Sequence, residues 1–321
     1  MDEFSFIDSI KQRSYKQSSL LKGIGDDAAV FRQTSEDIVT AVDTFVEGIH
    51  FSRDTMQAFH IGYRALAANI SDLAAMGATP AFYLTSLVKP ESWHVQEVEG
   101  IFIGMKELAN SYGMDLIGGD TVSGKQLTIS ITVIGYVPGG KARYRSVAQK
   151  DDIVFVTGTL GDSRAGLHLL TENNSYEHTE FFIQRHRTPT PRVEFAKSLS
   201  KLSRIALNDI SDGIANEAAE IAEASNVGIL LYDESIPISP FYTQFSLKQQ
   251  QEWKYFGGED FELMGTVSAQ EWPFVVQAAE NTHTKISEIG IVTERSENSN
   301  VFMMKNNKKQ RLNKCGYTHF K

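Results

Sequence analysis

The stretch AFHIGYRALAANISDLAAMGATPAFYLTSLV, residues 58–88, decides the fold class because it joins a helix to a strand. Residues 58–78 are rich in good helix formers and meet Gly77 and Pro80, which predicts a helix ending there. Residues 81–88 form a short apolar run, which predicts a buried strand. Strands and helices in alternation are typical of α/β and α+β proteins.

The alternation continues on both sides of this stretch. The remaining predicted elements of the first half are a strand at 38–43, a helix at 92–113, a strand and turn at 115–121, and a strand at 126–137. Residues 138–152 are polar and turn-rich, and predict a domain boundary near their end. We therefore expect domains at residues 1–148 and 149–321.

The second half shows the same mixture. Its predicted elements are strands at 152–158 and 227–239, and helices starting at Ala165 and spanning 190–202 and 213–226. The glycine-rich residues 157–166, between a strand and a helix, fit either a phosphate-binding loop or a tight turn. The predicted class is a two-domain α/β (α+β) fold.

Composition narrows the function classes. The chain has 321 residues, 41% hydrophobic and 22% charged, as expected for a globular protein of about two domains. A net charge of −9 argues against nucleic acid as a partner. The single cysteine, Cys315, excludes an intrachain disulfide and a multi-cysteine metal site. No signal peptide or membrane span is recognisable, so we expect a cytoplasmic protein without a membrane partner.

Acidic residues recur beside glycine, serine or threonine. The six segments are GIGDDAAV (23–30), VDTFVEGIHF (42–51), NISDLAAMGA (69–78), IGGDT (117–121), NDISDGIA (208–215) and FGGEDFEL (256–263). Small neighbours allow a phosphate or a hydrated cation to approach the backbone closely. Carboxylates without histidine or cysteine partners favour Mg²⁺ over Zn²⁺, and Mg²⁺ is commonly completed by phosphate oxygens. Taken singly, each acid could instead be a turn or cap residue.

Other catalytic motifs lack essential parts. The segments GDTVSGKQ (119–126) and GYVPGGKA (135–142) begin like a P-loop but have no serine or threonine after the lysine. The first of them also runs into a predicted strand rather than a helix. The sequence contains no G-x-S-x-G and no H-E-x-x-H motif.

In their order and spacing, the six acidic segments resemble the thiamine-monophosphate kinase family. This family belongs to the PurM-like superfamily of ATP-dependent enzymes, related to aminoimidazole ribonucleotide synthetase. The resemblance extends from FIDSI (6–10) to GYTHF (316–320), and GGEDFEL with the terminal GYTHF is its most specific part. Selenophosphate synthetases and hydrogenase maturation relatives carry reactive cysteines that Cys315 does not match.

The resemblance implies a fold and an activity. The N-terminal α/β domain would dimerise through its sheet into a shared barrel, and an α+β domain would follow, with ATP between the two. The enzyme would be a homodimeric thiamine-phosphate kinase that uses ATP and several Mg²⁺ ions. It would transfer the γ-phosphate in line to thiamine monophosphate, forming thiamine diphosphate.

The resemblance also implies site residues. The Mg²⁺ ligands would be Asp27, Asp43, Thr44, Asp72, Asp120, Asp209 and Asp212. The residues that contact ATP would be Gly119, Asp120, Arg145 and Ser211, and those that contact thiamine monophosphate would be His50, Glu259 and Tyr317. Catalysis would depend on Asp209, Asp212 and Arg145.

Two details modify this set. If residues 23–30 are extended, Asp26 and Asp27 point to opposite faces, so only Asp27 is expected at the metal. Ala41 and Val42 stand where some relatives carry hydroxyl groups, which removes side-chain metal contacts there. No aromatic residue can be assigned to adenine.

Two other functions stay open at this point. The chain could be a PurM-like ligase that activates a carbonyl oxygen by phosphorylation. It could also be a noncatalytic nucleotide or metal sensor that has kept the acids.

Overall fold

The computed structural model describes residues 12–22, 30–31, 35–172, 175–296 and 300–315. The chain divides into two compact units, which are Met1–Leu73 with Ala78–Ala142 and Ala74–Gly77 with Arg143–Lys321. Each unit contains helices and a β-sheet of its own. The predicted mixed α/β class with two domains is therefore confirmed.

The first unit is built on a four-stranded sheet. In chain order, the elements up to residue 138 are β1 (Leu20–Lys22), β2 (Val30–Phe31), β3 (Glu36–Val46), α1 (Ala58–Ala75), β4 (Thr79–Lys89), α2 (Val95–Ser111), β5 (Asp115–Ser123) and β6 (Thr128–Pro138). The strand order is β3-β6-β4-β5, with β4 and β5 parallel and the other pairs antiparallel. Strands β1 and β2 form a separate antiparallel pair.

The two faces of the four-stranded sheet differ in burial. Alternate residues Ile129, Ile131 and Val133 of β6 are fully buried. On the same face, the hydroxyl of Thr85 lies 3.8 Å from the sulfur of Met105 in α2, so the helices cover this side. The residues in between point to the opposite side. We call that side the open face; β1 and β2 cover one end of it, where Phe31 lies against Phe82.

Helices α1 and α2 approach each other through glycine. A β-carbon at Gly62 would overlap the carbonyl oxygen of Ile101, and one at Gly104 would overlap the carbonyl oxygen of Phe59. Only glycine therefore permits this contact between the backbones. The helix predicted at 58–78 ends at Ala75, and Gly77 follows with φ of 73°.

The second unit is built on a seven-stranded sheet. Its elements are β7 (Ile153–Thr157), α3 (Asp162–Thr171), α4 (Thr179–Arg187), α5 (Val193–Ser198), β8 (Ala206–Asp209), α6 (Ile214–Ser225), β9 (Gly228–Tyr232), α7 (Leu247–Phe256), β10 (Leu263–Val267), α8 (Trp272–Asn281), β11 (Ile286–Thr293), β12 (Val301–Lys305) and β13 (Lys308–Arg311). The strand order is β13-β12-β9-β11-β7-β10-β8. Strands β9 and β12 are parallel, and the other recorded pairs are antiparallel.

Helix α6 packs on this sheet through one apolar stripe. Ile214, Ala218 and Ile221 lie at the i, i+4 and i+7 positions and are fully buried in one cluster with Val154 of β7 and Ile289 of β11. Each large aliphatic side chain in such a cluster contributes roughly 1.5–3 kcal/mol. This packing fixes the start of α6, where the segment 208–213 enters it.

Several predicted elements differ from the structure in length. The strand predicted at 227–239 ends at Tyr232, because Asp233–Ser235 turns into a short 3-10 helix. The helix predicted at 190–202 is reduced to Val193–Ser198. No element is predicted beyond Ser239, where the structure has two helices and four strands within its described ranges.

Within the described ranges, no helix combines the length and the apolar character that crossing a bilayer requires.

Candidate active site

Two predicted metal ligands of the first unit, Asp43 and Asp72, lie at the contact between β3 and α1. The side-chain oxygen of Asn69 accepts the backbone N–H of Asp43 at 3.0 Å, and its amide donates to the carbonyl oxygen of Ala65 at 3.0 Å. Asn69 is fully buried, so it ties α1 to the edge strand β3. Asp72 follows Asn69 by three residues and lies on the same side of α1.

The carboxyl group of Asp43 is half-buried in the sheet edge. Burial raises the pKa of Asp43 above its ordinary value. A carboxylate in this condition gains from a cation that enters the site. This fits the predicted role of Asp43 as a metal ligand.

Thr44 and Asp120 lie on the open face, opposite to Asp43. The sheet register places Thr44 beside Ser130, Ser130 beside Ser86, and Ser86 beside Asp120. The Thr44 and Ser130 hydroxyl groups are 2.7 Å apart. These four residues form a polar row that crosses all four strands.

The row separates two of the predicted metal ligands. Thr44 and Asp120 lie three strands apart, which corresponds to about 14 Å. Asp120 is also on the opposite face from Asp43. Because one Mg²⁺ needs its ligand oxygens at about 2.1 Å, Asp43 and Asp120 of one chain do not share an ion in this arrangement. Among the described residues, no group of three or more His, Cys, Asp or Glu residues could hold a metal ion.

Gly119, predicted to lie along the nucleotide, is required by the sheet itself. A β-carbon there would overlap the carbonyl oxygen of Thr85 on the neighbouring strand. The next residue, Asp120, is exposed, and its carboxylate accepts the N–H of Thr121 at 2.9 Å. No side chain therefore covers the backbone at Gly119, and the exposed carboxylate of Asp120 lies next to it.

His50, predicted to contact thiamine monophosphate, is oriented by the turn after β3. Its Nδ1 accepts the backbone N–H of Val46 at 3.1 Å, and its ring lies 5.1 Å from that of Phe45. Since Nδ1 accepts, the neutral ring carries its proton on Nε2. The ring of His50 is therefore held with Nδ1 toward the backbone of Val46 and Nε2 on its far side.

In the second unit, the predicted residue Asp209 ends β8, and Ser211 and Asp212 lie between β8 and α6. A further acid, Glu217 in the first turn of α6, holds this segment. Its carboxylate accepts the backbone N–H of Asp212 at 3.0 Å and the hydroxyl of Ser211 at 3.4 Å. The other carboxylate oxygen accepts the side-chain amide of Asn208.

The charge around Glu217 is strongly negative. Glu217 is 2% exposed and Asp209 is 4% exposed. Burial, and then the charge of Asp209, raise the pKa of Glu217 to about 8. Glu220 and Asp212 add to the same effect. A cluster of this kind is typical of a site that receives a cation.

Arg145 lies beside this segment. Its Nε donates to the side-chain oxygen of Asn208 at 2.8 Å, and a terminal nitrogen pairs with Glu220 at 2.7 Å. The arginine side chain is 49% exposed. The structure therefore brings Arg145 together with the segment that carries Asp209 and Asp212.

The segment FGGEDFEL runs next to NDISD. The backbone N–H of Glu259 donates to the carbonyl oxygen of Ser211 at 2.7 Å, and Glu259 has φ of 63°. A β-carbon at Gly258 would overlap the same carbonyl oxygen. Glu259 therefore lies beside Ser211 and Asp212, whereas its neighbours Asp260 and Glu262 point into the unit.

Asp260 decides between the two interpretations of residues 157–166. Its carboxylate accepts the backbone N–H of Gly161 at 2.6 Å and that of Ser163 at 3.0 Å. These are the amides at the start of α3, where a phosphate would bind. A protein carboxylate already occupies them, so the tight-turn interpretation is favoured over the phosphate-binding loop.

Glu262 is a structural anchor. It is fully buried and pairs with Arg185 at 2.7 Å and with Arg192 at 2.6 Å. Although burial acts to raise its pKa, Arg192 and Arg185 hold the pKa of Glu262 at about 2. The acids of GGEDFEL thus have separate roles that their adjacency in sequence does not show.

Three residues discussed from the sequence, Asp26, Asp27 and Tyr317, lie outside the described residues. Their roles stay predictions. Conversely, sequence reasoning missed Asn69, Asn208 and Glu217. The only signal for Glu217 was an acid in the first turn of a predicted helix, a common feature of helix N-termini.

Comparison with known proteins identifies the family. Residues 25–137 match the family described as AIR synthase related protein, N-terminal domain, and residues 149–301 match AIR synthase related protein, C-terminal domain. The chain is 47% identical over 328 aligned positions to thiamine-monophosphate kinase of Bacillus subtilis (strain 168), with 100% of each chain covered.

Solved structures agree with this match. The thiamine-monophosphate kinase of Stenotrophomonas maltophilia K279a has a TM-score of 0.84 and 34% identity, covering 94% of this chain and 96% of its own. A structure described as AaThiL complexed with AMPPCP and TMP has a TM-score of 0.78 and 33% identity, covering 99% and 97%. The chain therefore belongs to the thiamine-monophosphate kinase family, within the PurM-like superfamily of AIR synthase related proteins.

Proposed function

We propose that this protein transfers the γ-phosphate of ATP to thiamine monophosphate, forming ADP and thiamine diphosphate. The full-length similarity to the Bacillus subtilis thiamine-monophosphate kinase carries the proposal. The similar AaThiL structure holds AMPPCP, an analogue of ATP, together with TMP. We assign ATP and thiamine monophosphate to this chain on that basis.

The acids of both units are suited to Mg²⁺. Their side chains offer oxygen donors, which Mg²⁺ prefers. The raised pKa values of Asp43 and Glu217 support a requirement for added positive charge. We assign Mg²⁺ binding to the predicted ligands Asp27, Asp43, Thr44, Asp72, Asp120, Asp209 and Asp212. When bound, Mg²⁺ supplies the charge that neutralises phosphate oxygens.

In this reaction the protein mainly positions the two phosphate groups and neutralises their charge. The acceptor phosphate is already ionised at neutral pH, so a strong general base is not needed. Arg145 neutralises phosphate charge, and Ser211 contacts phosphate oxygen. His50 offers its Nε2–H to the substrate phosphate, while Glu259 and Tyr317 face the cationic thiazolium through charge and ring contact. These roles are part of the proposal.

We also propose that the protein is a homodimer that pairs open faces of the four-stranded sheet. Ile38, Val42 and Val122 alternate along the edge strands of this face and are 49%, 60% and 49% exposed. Apolar exposure of this kind is typical of a surface that a partner covers. A second copy would continue the sheet surface into the predicted barrel, and Asp120 would lie at the interface.

The predicted division of labour belongs to the same proposal. Residues 1–148 would bind ATP and Mg²⁺ and dimerise, and residues 149–321 would form the second PurM-like domain. The cytoplasmic location stays a prediction from sequence.

One assay tests the function. Purified protein is incubated with ATP, Mg²⁺ and thiamine monophosphate, and ADP and thiamine diphosphate are quantified. We expect the two products in a one-to-one ratio. ATP turnover only with a purine precursor would favour the ligase, and tight ATP binding without turnover would favour the sensor. Either result would overturn the kinase.

A further inference from the structure

A continuous hydrogen-bond chain connects Arg145 to the segment that carries Ser211 and Asp212. Arg145 Nε donates to Asn208 Oδ1 at 2.8 Å. Asn208 Nδ2 donates to Glu217 Oε2. Glu217 Oε1 accepts the backbone N–H of Asp212 at 3.0 Å and the Ser211 hydroxyl at 3.4 Å.

The direction of this chain is fixed by chemistry at both ends. Arginine can only donate, and a carboxylate facing a backbone N–H must accept. The amide of Asn208 therefore has one orientation that satisfies both neighbours. Reversing it would place its NH₂ group against the Arg145 N–H and its oxygen against the Glu217 carboxylate.

Burial makes this chain difficult to replace by water. Asn208 is 1% exposed and Glu217 is 2% exposed. A buried donor or acceptor that loses its partner costs more than an exposed one, because no solvent reaches it. Helix α6, which carries Glu217, also holds the backbone of Arg145, since the Ser225 hydroxyl donates to the Arg145 carbonyl oxygen at 2.6 Å.

We propose that Asn208 and Glu217 are positioning residues that couple the guanidinium of Arg145 to Ser211 and Asp212 during phosphoryl transfer. This inference rests on the proposed function, which places Arg145 and Ser211 on ATP and Asp212 on the metal. Neither Asn208 nor Glu217 touches substrate in this account. They hold the groups that do at a fixed mutual distance.

A variant of one residue should break the coupling. In Glu217→Gln, the side-chain oxygen can still accept from Ser211 and Asp212, but the new NH₂ group faces the NH₂ group of Asn208. Reversal of Asn208 would only move the clash to Arg145. A buried donor left without an acceptor corresponds to roughly 10- to 100-fold in kcat/KM for ATP.

A second substitution should restore it. In Asn208→Asp with Glu217→Gln, the carboxylate introduced at 208 accepts from both Arg145 and the amide introduced at 217. The amide oxygen still accepts from Ser211 and Asp212. The hydrogen bonds of the chain from Arg145 to Ser211 and Asp212 return, with the one between positions 208 and 217 reversed, and the net charge equals that of wild type. The long 3.5 Å contact of Asn208 with Glu220 is lost. We expect recovery of at least about tenfold over Glu217→Gln alone.

The matched control lies on the same helix. Glu223 pairs with Lys314 at 3.0 Å on the surface, and Glu223→Gln makes the same chemical change away from the chain. We expect wild-type kinetics from it. Thermal unfolding of all four proteins checks that each is folded, and Mg²⁺-dependent AMPPCP binding is measured beside turnover.

The outcomes separate the two levels of inference. Wild-type turnover with equally active Glu217→Gln overturns the coupling and leaves the kinase intact. A double variant no better than Glu217→Gln also overturns it, since packing alone would then explain the loss. If wild type binds AMPPCP without forming thiamine diphosphate, the kinase fails and the same pattern in AMPPCP affinity decides the coupling. If wild type neither binds AMPPCP nor forms thiamine diphosphate, the kinase function and the coupling are both refuted.

Discussion

Two glutamates of the second unit, Glu217 and Glu262, are almost equally buried but have opposite surroundings. Glu262 pairs with Arg185 and Arg192, which hold its pKa at about 2 against the effect of burial. Glu217 has the acid Asp209 near it, and burial with this like charge raises its pKa to about 8. Arginines act on the first carboxyl group, whereas the charges that raise the pKa of the second are those of other acids.

The difference separates structure from function. A buried acid with its own arginines completes a network, so its removal should affect folding. A buried acid beside other acids is stable only when a positive charge or a proton is added, which is expected at a cation-binding site. The surroundings of the two glutamates therefore make distinct predictions.

The largest effect should follow Glu262→Gln. Both arginines would lose their charged partner inside the unit, so the free energy of unfolding should fall by about 3–5 kcal/mol. Urea denaturation measures it. Glu194→Gln, which removes a surface pair with Lys197, should change it by about 0.5 kcal/mol or less. Equal losses in both variants would show that Glu262 is no anchor.

The next effect concerns Asp260 and pH. Burial, and then the charge of Asp162, raise the pKa of Asp260 to about 7, whereas its ordinary value is 3.8. The native state therefore holds the proton more tightly, and this stabilisation is present below pH 3.8 and lost as pH rises through 7. Relative to Asp260→Asn, wild type should lose roughly 2–4 kcal/mol of unfolding free energy between pH 4 and pH 8.

Urea denaturation at several pH values tests this slope. The Asp260→Asn variant should have a lower free energy of unfolding than wild type at every pH, because its amide oxygen can accept only one of the two N–H groups at the start of α3. The comparison uses only how stability changes with pH. Parallel curves for the two proteins would contradict the raised pKa.

In the acidic segment that Glu217 holds, Asp212→Asn should reduce the rate of thiamine diphosphate formation by about a hundredfold or more. The loss of one predicted metal ligand weakens charge neutralisation at the phosphates. Because Asp212 is only half-buried, the melting temperature should stay within a few degrees of wild type. Steady-state formation of thiamine diphosphate measures the rate. A wild-type rate would refute the metal role of Asp212.

The smallest effect is the response to Mg²⁺ itself. At about ten times its Kd, Mg²⁺ should add about 1.4 kcal/mol to the stability of protein first treated with a chelator. The gain should shrink in Asp209→Asn with Asp212→Asn and persist in Glu194→Gln. Thermal unfolding with and without Mg²⁺ is the measurement. An equal gain in all three proteins would place the ion elsewhere.

Local sequence signals were sufficient for the longest elements of the fold. The helix at Ala58–Ala75 has good helix formers and Gly77 after it, and the helix at Ile214–Ser225 follows a glycine and precedes Asn226. Both are set by residues within them and immediately beside them. The strand predicted at 227–239 was too long, since the chain turns at the polar residues Asp233–Ser235 directly after Tyr232.

The site was predicted only in part, because burial and facing depend on tertiary structure. Glu217 resembles any polar residue of an amphipathic helix until Asn208 and Asp212 are placed around it. Asp43 and Asp120 occupy similar sequence contexts, yet strand register puts them on opposite faces. In GGEDFEL, positive φ values of 63° at Glu259 and 50° at Phe261 turn successive side chains to different surroundings. Pattern alone does not show such turns.

The glycine contact between α1 and α2 has a consequence for Asp72. A one-residue slide of either helix would bring a β-carbon against a carbonyl oxygen at Gly62 or Gly104. The glycine contact therefore fixes the register of the two helices along their axes. Asp72 lies ten residues beyond Gly62, about 15 Å along the axis of α1. The missing side chain at Gly62 therefore also sets the position of the Asp72 carboxylate along α2.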